Sequence, residues 1–189
     1  MASDPVALHR RAVDEFGRRV DAVADNQWGL PTPCRDWDVR ALVHHLVYEN
    51  RWAVPLLDGQ TVEEVGDRFE GELLGEDPKA AWHDSAARAQ EAAGAAGAME
   101  RTVHLSFGDF PGSEYASQLI VDLTVHAWDL ARGIGADDQL DRELVEVCYN
   151  AVVPMEPMLR SSGLFGERID VGDQADTQSK LLGLLGRRA

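Results

Sequence analysis

The chain has 189 residues, with 18 Lys and Arg against 33 Asp and Glu, a formal net charge of -15 and a sequence pI of about 4.7. That length suits a single domain over 1–189 with a buried core, and that charge argues against a nucleic-acid backbone or an anionic membrane surface as the main partner. Two cysteines, Cys34 and Cys148, and an opening stretch without an apolar run point to a reduced, cytoplasmic protein, and no segment reaches the roughly 18 apolar residues of a membrane span.

Ser3-Asp4-Pro5 combines an N-cap with proline at the first helical position, and Val6, Val13, Phe16, Val20 and Val23 recur at helical spacing. A first helix is therefore predicted from about Asp4 to Asp25. Trp28-Gly29-Leu30-Pro31-Thr32-Pro33 breaks the pattern and reads as a loop. Asp36 is the expected cap of a second helix, whose stripe of Val39, Leu42, Val43, Leu46, Val47 and Val54 ends near Leu57-Asp58-Gly59. Gln60 to Gly75 is acidic with scattered apolar residues and fits either a loop or a strained helical piece. Asp77-Pro78 repeats the capping signature and starts an Ala-rich helix to about Met99. Thr102 to Phe107 alternates like a short strand, and Gly108-Asp109-Phe110-Pro111-Gly112 is expected to turn the chain. Ser113 is the expected cap of a further helix that stops at Gly133-Ile134-Gly135. Asp141 to about Ser162 reads as a last long helix bent at Pro154 and Pro157, and Lys180-Leu181-Leu182-Gly183-Leu184-Leu185-Gly186 as one docked helical turn. Four or five helices with long connections and almost no strand fit an all-α bundle, which builds its sites from side chains on facing helices.

Within the most apolar of these helices, Asp122 and His126 stand four residues apart and so share one face. A carboxylate turned into a helix interface costs several kcal/mol unless it is hydrogen-bonded, ion-paired or bound to a cation. The second helix carries His44 and His45, offset by about 100°, so only one of them faces any given neighbour. One reading joins His45, Asp122 and His126 around a divalent metal. Two imidazoles and a carboxylate form the ligand set of open catalytic zinc sites, and the same donors accept Fe(II) or Ni(II). The competing reading makes the pair a satisfied polar feature of the core, with Asp122 ion-paired and His126 bonded to a backbone carbonyl.

Other residues weigh less. Cys34 reads as a small buried loop residue, with a thiol at a helix N-terminus as the alternative, and Cys148 as core. Trp37, Trp52 and Trp128 are core aromatics or pocket walls. His9, His83 and His104 stand in polar or irregular contexts and are expected to face solvent. Arg40, Arg51 and Arg132 are candidates to hold an anionic substrate, and Arg51, Trp52 and Arg132 form the expected substrate-binding set. Phosphate-loop, dinucleotide and nucleophile-elbow signatures are missing from the sequence.

The stretches Pro31-Thr32-Pro33-Cys34-Arg35-Asp36-Trp37-Asp38-Val39-Arg40-Ala41-Leu42-Val43-His44-His45-Leu46 and Val121-Asp122-Leu123-Thr124-Val125-His126-Ala127-Trp128-Asp129-Leu130-Ala131-Arg132-Gly133 resemble the DinB-like superfamily. More narrowly, they are similar to its actinobacterial branch related to the N-terminal domain of mycothiol-dependent maleylpyruvate isomerase. The resemblance implies a four-helix bundle with an additional C-terminal helix, holding one divalent metal at positions that match His45, Asp122 and His126. Zinc is the first expectation, with nickel or iron served by the same donors. Asp122 stands where the isomerase has Glu, one methylene longer, and the isomerase's separate C-terminal domain is not expected in this chain. Related proteins include transferases that use low-molecular-weight thiols. The implied activity is therefore S-transfer to, or isomerisation of, a small electrophile with a mycothiol-type thiol as cosubstrate, in a monomer or homodimer. The alternative is a non-catalytic metal- or small-molecule-binding bundle.

Overall fold

The computed structural model describes residues 4–158 and 166–188. By packing, the chain divides into two compact units, residues 1–138 and 139–189.

In the first unit, helix α1 (Pro5–Ala22) starts where Asp4 accepts the Val6 N–H, and it buries Leu8, Ala12, Val13, Phe16 and Val20 along one face. Helix α2 (Val39–Leu57) is capped by Asp38, whose Oδ1 accepts the Ala41 N–H at 2.8 Å. Asp36 was the expected cap. It instead adopts φ 67° inside the preceding turn, a left-handed conformation that Asp tolerates better than most side chains. The acidic stretch after α2 contains the single-turn helix α3 (Val62–Val65), closed by a reciprocal Thr61–Glu64 capping box. Helix α4 (Pro78–Ala93) ends at Gly94, short of the expected Met99.

Strands β1 (Thr102–Leu105) and β2 (Gly108–Pro111) pair antiparallel with Leu105 opposite Gly108. The residues expected only to turn the chain thus form the second strand, and the turn itself is Ser106-Phe107. Helix α5 (Gly112–Ile134) begins directly after β2, with no side-chain cap where Ser113 was expected. Backbone bonds do that work: Gly112 N–H donates to Arg101 O and Ser113 N–H to Met99 O, both at 2.8 Å.

Helix α5 packs on α1 and α2, and α4 packs on the same two helices, so each of the four touches two others. Ala89 and Ala93 let α2 approach α4 closely, while Trp82 fills the space beside Phe16 at 4.7 Å between ring centroids. The chain is mostly helical, with this one small sheet among the described residues. No helix among the described residues is long and apolar enough to cross a membrane.

In the second unit, α6 (Arg142–Val152) runs into a 3-10 turn at Val153–Met155, where Pro154 interrupts the expected long helix. The extension expected to Ser162 lies outside the described residues beyond 158. The expected terminal turn is a two-turn helix, α7 (Thr177–Leu184), capped by Asp176 and packed on α6, with Leu181, Leu182 and Leu185 buried.

His83 and His104 lie at the surface, paired with Asp21 and Asp109. His9, expected there too, is only 1% exposed, because its place on α1 beside Leu8 and Ala12 falls on the buried face. Neither ring nitrogen has a hydrogen-bond partner among the described residues, and burial lowers the His9 pKa to about 4. The unfolded chain therefore binds a proton at this residue from about pH 6.5 downward, while the folded chain resists until about pH 4. Stability from the neutral ring is complete above the upper value and is lost as pH falls through the window. At pH 5 the loss attributable to this residue is about 2 kcal/mol. Denaturant melts of wild type and His9→Leu at pH 7 and pH 5 measure it: the wild type should lose about 2 kcal/mol more than the variant. Equal losses would show that the ring is not held neutral.

Candidate metal centre

The site lies where α2 meets α5. His45 points its Nε2 at Asp122 Oδ2, 3.1 Å away, and His126 points its Nε2 at Asp122 Oδ1, 3.3 Å away. The ligand atoms of all three lie within 4.8 Å of one another. His44, one residue along α2, turns away and meets Gly71 O at 2.9 Å. Of the two adjacent histidines, then, His45 is the one brought to Asp122.

Burial pushes the Asp122 carboxyl up, but the imidazoles of His126 and His45 outweigh it and hold the group well below the usual carboxylate range. Burial lowers His126, yet Asp122, Asp129 and Cys34 together raise it well above an ordinary histidine. Two imidazoles therefore converge on one carboxylate that stays ionised and favours a positive partner. A divalent cation fits this donor set. Ligands about 2.1 Å from a tetrahedral centre sit about 3.4 Å apart, and one ligand atom from each of the three residues lies within 4.8 Å of the others, so modest side-chain shifts bring them to that spacing.

A second cluster shares His126. Its Nδ1 lies 2.9 Å from Asp129 Oδ2, on the next turn of α5, and Cys34 donates its thiol proton to the same Oδ2 at 3.1 Å. Cys34, His126 and Asp129 also place ligand atoms within 4.8 Å of each other. Where the competing reading gave His126 a backbone carbonyl, its partner is this carboxylate.

The loop before α2 supplies the wall. Thr32 N–H and Oγ1 both donate to Trp37 O, and Trp37 N–H donates to Cys34 O, a knot that fixes residues 32–37. It sets the Trp37 ring 4.8 Å from His45 and 5.8 Å from His126, centroid to centroid. Beside them a cavity of about 460 Å³ is lined by Trp37, Asp38, Arg40, Ala41, His44, His45, Tyr48 and Glu72. Arg40 is held there by Glu72 Oε1 at 3.1 Å and Gly75 O at 2.9 Å.

Glu49 follows His45 by one turn of α2. Burial and then Asp122 raise its carboxyl to about 6 against the lowering pull of His45 and His126. Tyr115, two turns before Asp122 on α5, is pushed up by burial, Glu49 and Asp122.

The expected substrate-binding residues do not line this cavity. Arg51 lines a separate cavity of about 620 Å³. Trp52 packs on the core cluster of Ala53, Leu56, Tyr115 and Leu119. Arg132 pairs with Asp138 and lies over the Trp128 ring. Sequence reasoning passed over Asp129, Trp37's place over both imidazoles, and Glu49. The spacing of Asp129 three residues after His126 was a usable signal, because i and i+3 side chains meet on a helix.

Comparisons with known proteins agree with this fold. The sequence profile described as the mycothiol maleylpyruvate isomerase N-terminal domain matches residues 9–131. Two uncharacterised proteins from strains of Mycobacterium tuberculosis are each 32% identical to the chain over 190 residues, covering 97% of it and 98% of the relative. The crystal structure of the mycothiol-dependent maleylpyruvate isomerase superposes with a TM-score of 0.63 at 17% identity, covering 82% of this chain and 71% of that one. A histidine-to-alanine mutant of the same enzyme gives 0.64 at 17% identity, with 86% and 72% covered. At that identity the likeness establishes the fold.

Proposed function

The chain belongs to the mycothiol maleylpyruvate isomerase N-terminal domain family, and from that premise we propose that it is a metal-dependent enzyme using a low-molecular-weight thiol of the mycothiol type. Its reaction is S-transfer to, or isomerisation of, a small electrophile. The observation that carries this reading is the convergence of His45 Nε2 and His126 Nε2 on the two oxygens of Asp122 at the edge of a cavity. On this reading the ring of α1, α2, α4 and α5 is the DinB-like four-helix bundle, and His45, Asp122 and His126 hold zinc.

His45, Asp122 and His126 would hold a divalent metal, which would supply the positive charge that favours a deprotonated thiol at neutral pH. The chain's own groups do the rest. Trp37 packs against both imidazoles and restricts their rotation. Arg40, His44 and Tyr48 line the space beside His45 and offer polar partners to the remainder of the cosubstrate. Glu49, its carboxyl raised to about 6, can take up a proton near neutral pH.

Tag-free protein supplied with zinc, a mycothiol-type thiol and a small electrophile should consume the thiol. Consumption should stop with chelator and in His45→Ala. Metal uptake without thiol consumption would favour the non-catalytic binding bundle instead.

A further inference from the structure

We propose that Asp129 and Cys34 are positioning residues for His126, holding its Nδ1 so that only Nε2 is offered to a divalent metal shared with His45 and Asp122. This rests on the metal-site reading above and assigns roles to two residues outside the ligand set.

Asp129 is fully buried, and a carboxylate taken out of water requires hydrogen-bond donors. It receives two at one oxygen: His126 Nδ1–H at 2.9 Å and the Cys34 thiol at 3.1 Å, the sulfur itself lying 3.6 Å from Nδ1. A carboxylate only accepts, so Nδ1 must be the donor. With Nδ1 committed to Asp129, Nε2, which faces Asp122, is the nitrogen left to exchange its proton for a metal. A metal-bound imidazole whose other nitrogen donates to a carboxylate is a recurrent arrangement, which fixes ring orientation and raises ligand basicity.

Cys34 is brought there by the loop. The Cys34 N–H donates to Thr32 Oγ1 at 3.2 Å, and Thr32 in turn is tied to Trp37. Gly133, one turn beyond Asp129, leaves the space this loop occupies, since a Cβ there would come within 3.1 Å of Thr32 Cγ2 and 3.3 Å of Pro31 O. The approach of loop to helix is what lets a residue from before α2 complete the partners of a carboxylate on α5.

Cys34, Asp129 and His126 Nδ1 could themselves be read as ligands. Two observations favour the positioning role. The protons within that cluster already have acceptors within it. Asp129 is fully buried, whereas His45 lines the cavity and the Asp122 side chain is a third exposed.

The test uses full-length, tag-free protein and zinc alone. Zinc affinity is measured by chelator competition for wild type, Asp129→Asn and Cys34→Ala. Long-range proton–nitrogen NMR then reads which His126 nitrogen is metallated in the zinc-loaded wild type. The expected pattern is Nε2 bound with Nδ1 protonated, zinc affinity lowered about 10–100-fold in Asp129→Asn, and a smaller loss in Cys34→Ala. If Asp129→Asn fails to fold, the wild-type spectrum and Cys34→Ala carry the decision. Metal on Nδ1, abolition of zinc binding in Cys34→Ala, or affinities unchanged in both variants would overturn the inference while leaving the metal reading intact. A wild type that takes up no zinc would overturn both.

Discussion

Asp122→Ala should lower zinc affinity more than about 100-fold, because loss of an outer partner of a metal ligand alone costs about 10–100-fold and Asp122 is the group both imidazoles face. Its oxygens lie 3.1 Å from His45 Nε2 and 3.3 Å from His126 Nε2, so one truncation removes a ligand and the negative charge between the two imidazoles. The effect should be on metal rather than on folding. Asp122 is a third exposed and its side chain meets polar groups from α2, whereas Leu119, Ile120 and Leu123 around it keep the apolar packing of α5. His44→Ala supplies the contrast: its ring lines the neighbouring cavity but bonds Gly71 O and not Asp122, so zinc affinity should stay within about twofold of wild type. Chelator competition with both variants, alongside circular dichroism, measures this. Wild-type affinity in Asp122→Ala would remove the three-residue site.

Gly112→Ala should destabilise the fold by about 3 kcal/mol or more, the upper range for overpacking. A Cβ at residue 112 would fall 1.9 Å from Ala98 O and 3.0 Å from its carbonyl carbon, both backbone atoms that no rotamer change can move. The same point is where β2 becomes α5 and where Arg101 O and Met99 O accept the first N–H groups of the helix. Relief of the clash therefore breaks the bonds that replace a side-chain cap. For a chain of this size the melting temperature should fall by roughly 6–12 °C. Gly29→Ala, which meets nothing within 4 Å, should lie within about 0.5 kcal/mol of wild type. Parallel thermal melts decide, and near-equal values for the two variants would mean that the 98–101 segment yields freely.

Local chemistry carried much of the architecture. Asp4-Pro5 and Asp77-Pro78 each start a helix, and the breaks at Pro31–Pro33 and Gly135 fall at loop and helix end, because caps, prolines and periodicity act within a few residues of themselves. The misses were of a different kind. Asp38 caps α2 because Asp36 is drawn into a turn by the bonds between residues 32 and 37. Gly108–Pro111 is a strand because β1 offers a ladder to it. His9 is buried because of the helix face on which it lies, although its neighbours Arg10 and Arg11 are charged.

The candidate site divides along the same line. From residue order alone, Asp122 and His126 share a helix face, and one of two adjacent histidines is their natural partner. That follows from the 3.6-residue repeat, which needs no knowledge of the rest of the chain. Only the packing of α2 on α5 selected His45 over His44, since a rotation of about 100° separates them and the interface decides which side faces in. Only the loop's approach at Gly133 joined Cys34 to Asp129, 95 residues away, and set Trp37 over both imidazoles. Spacing along a helix is local geometry and can be read directly, whereas the meeting of distant segments depends on how every buried face is covered at once.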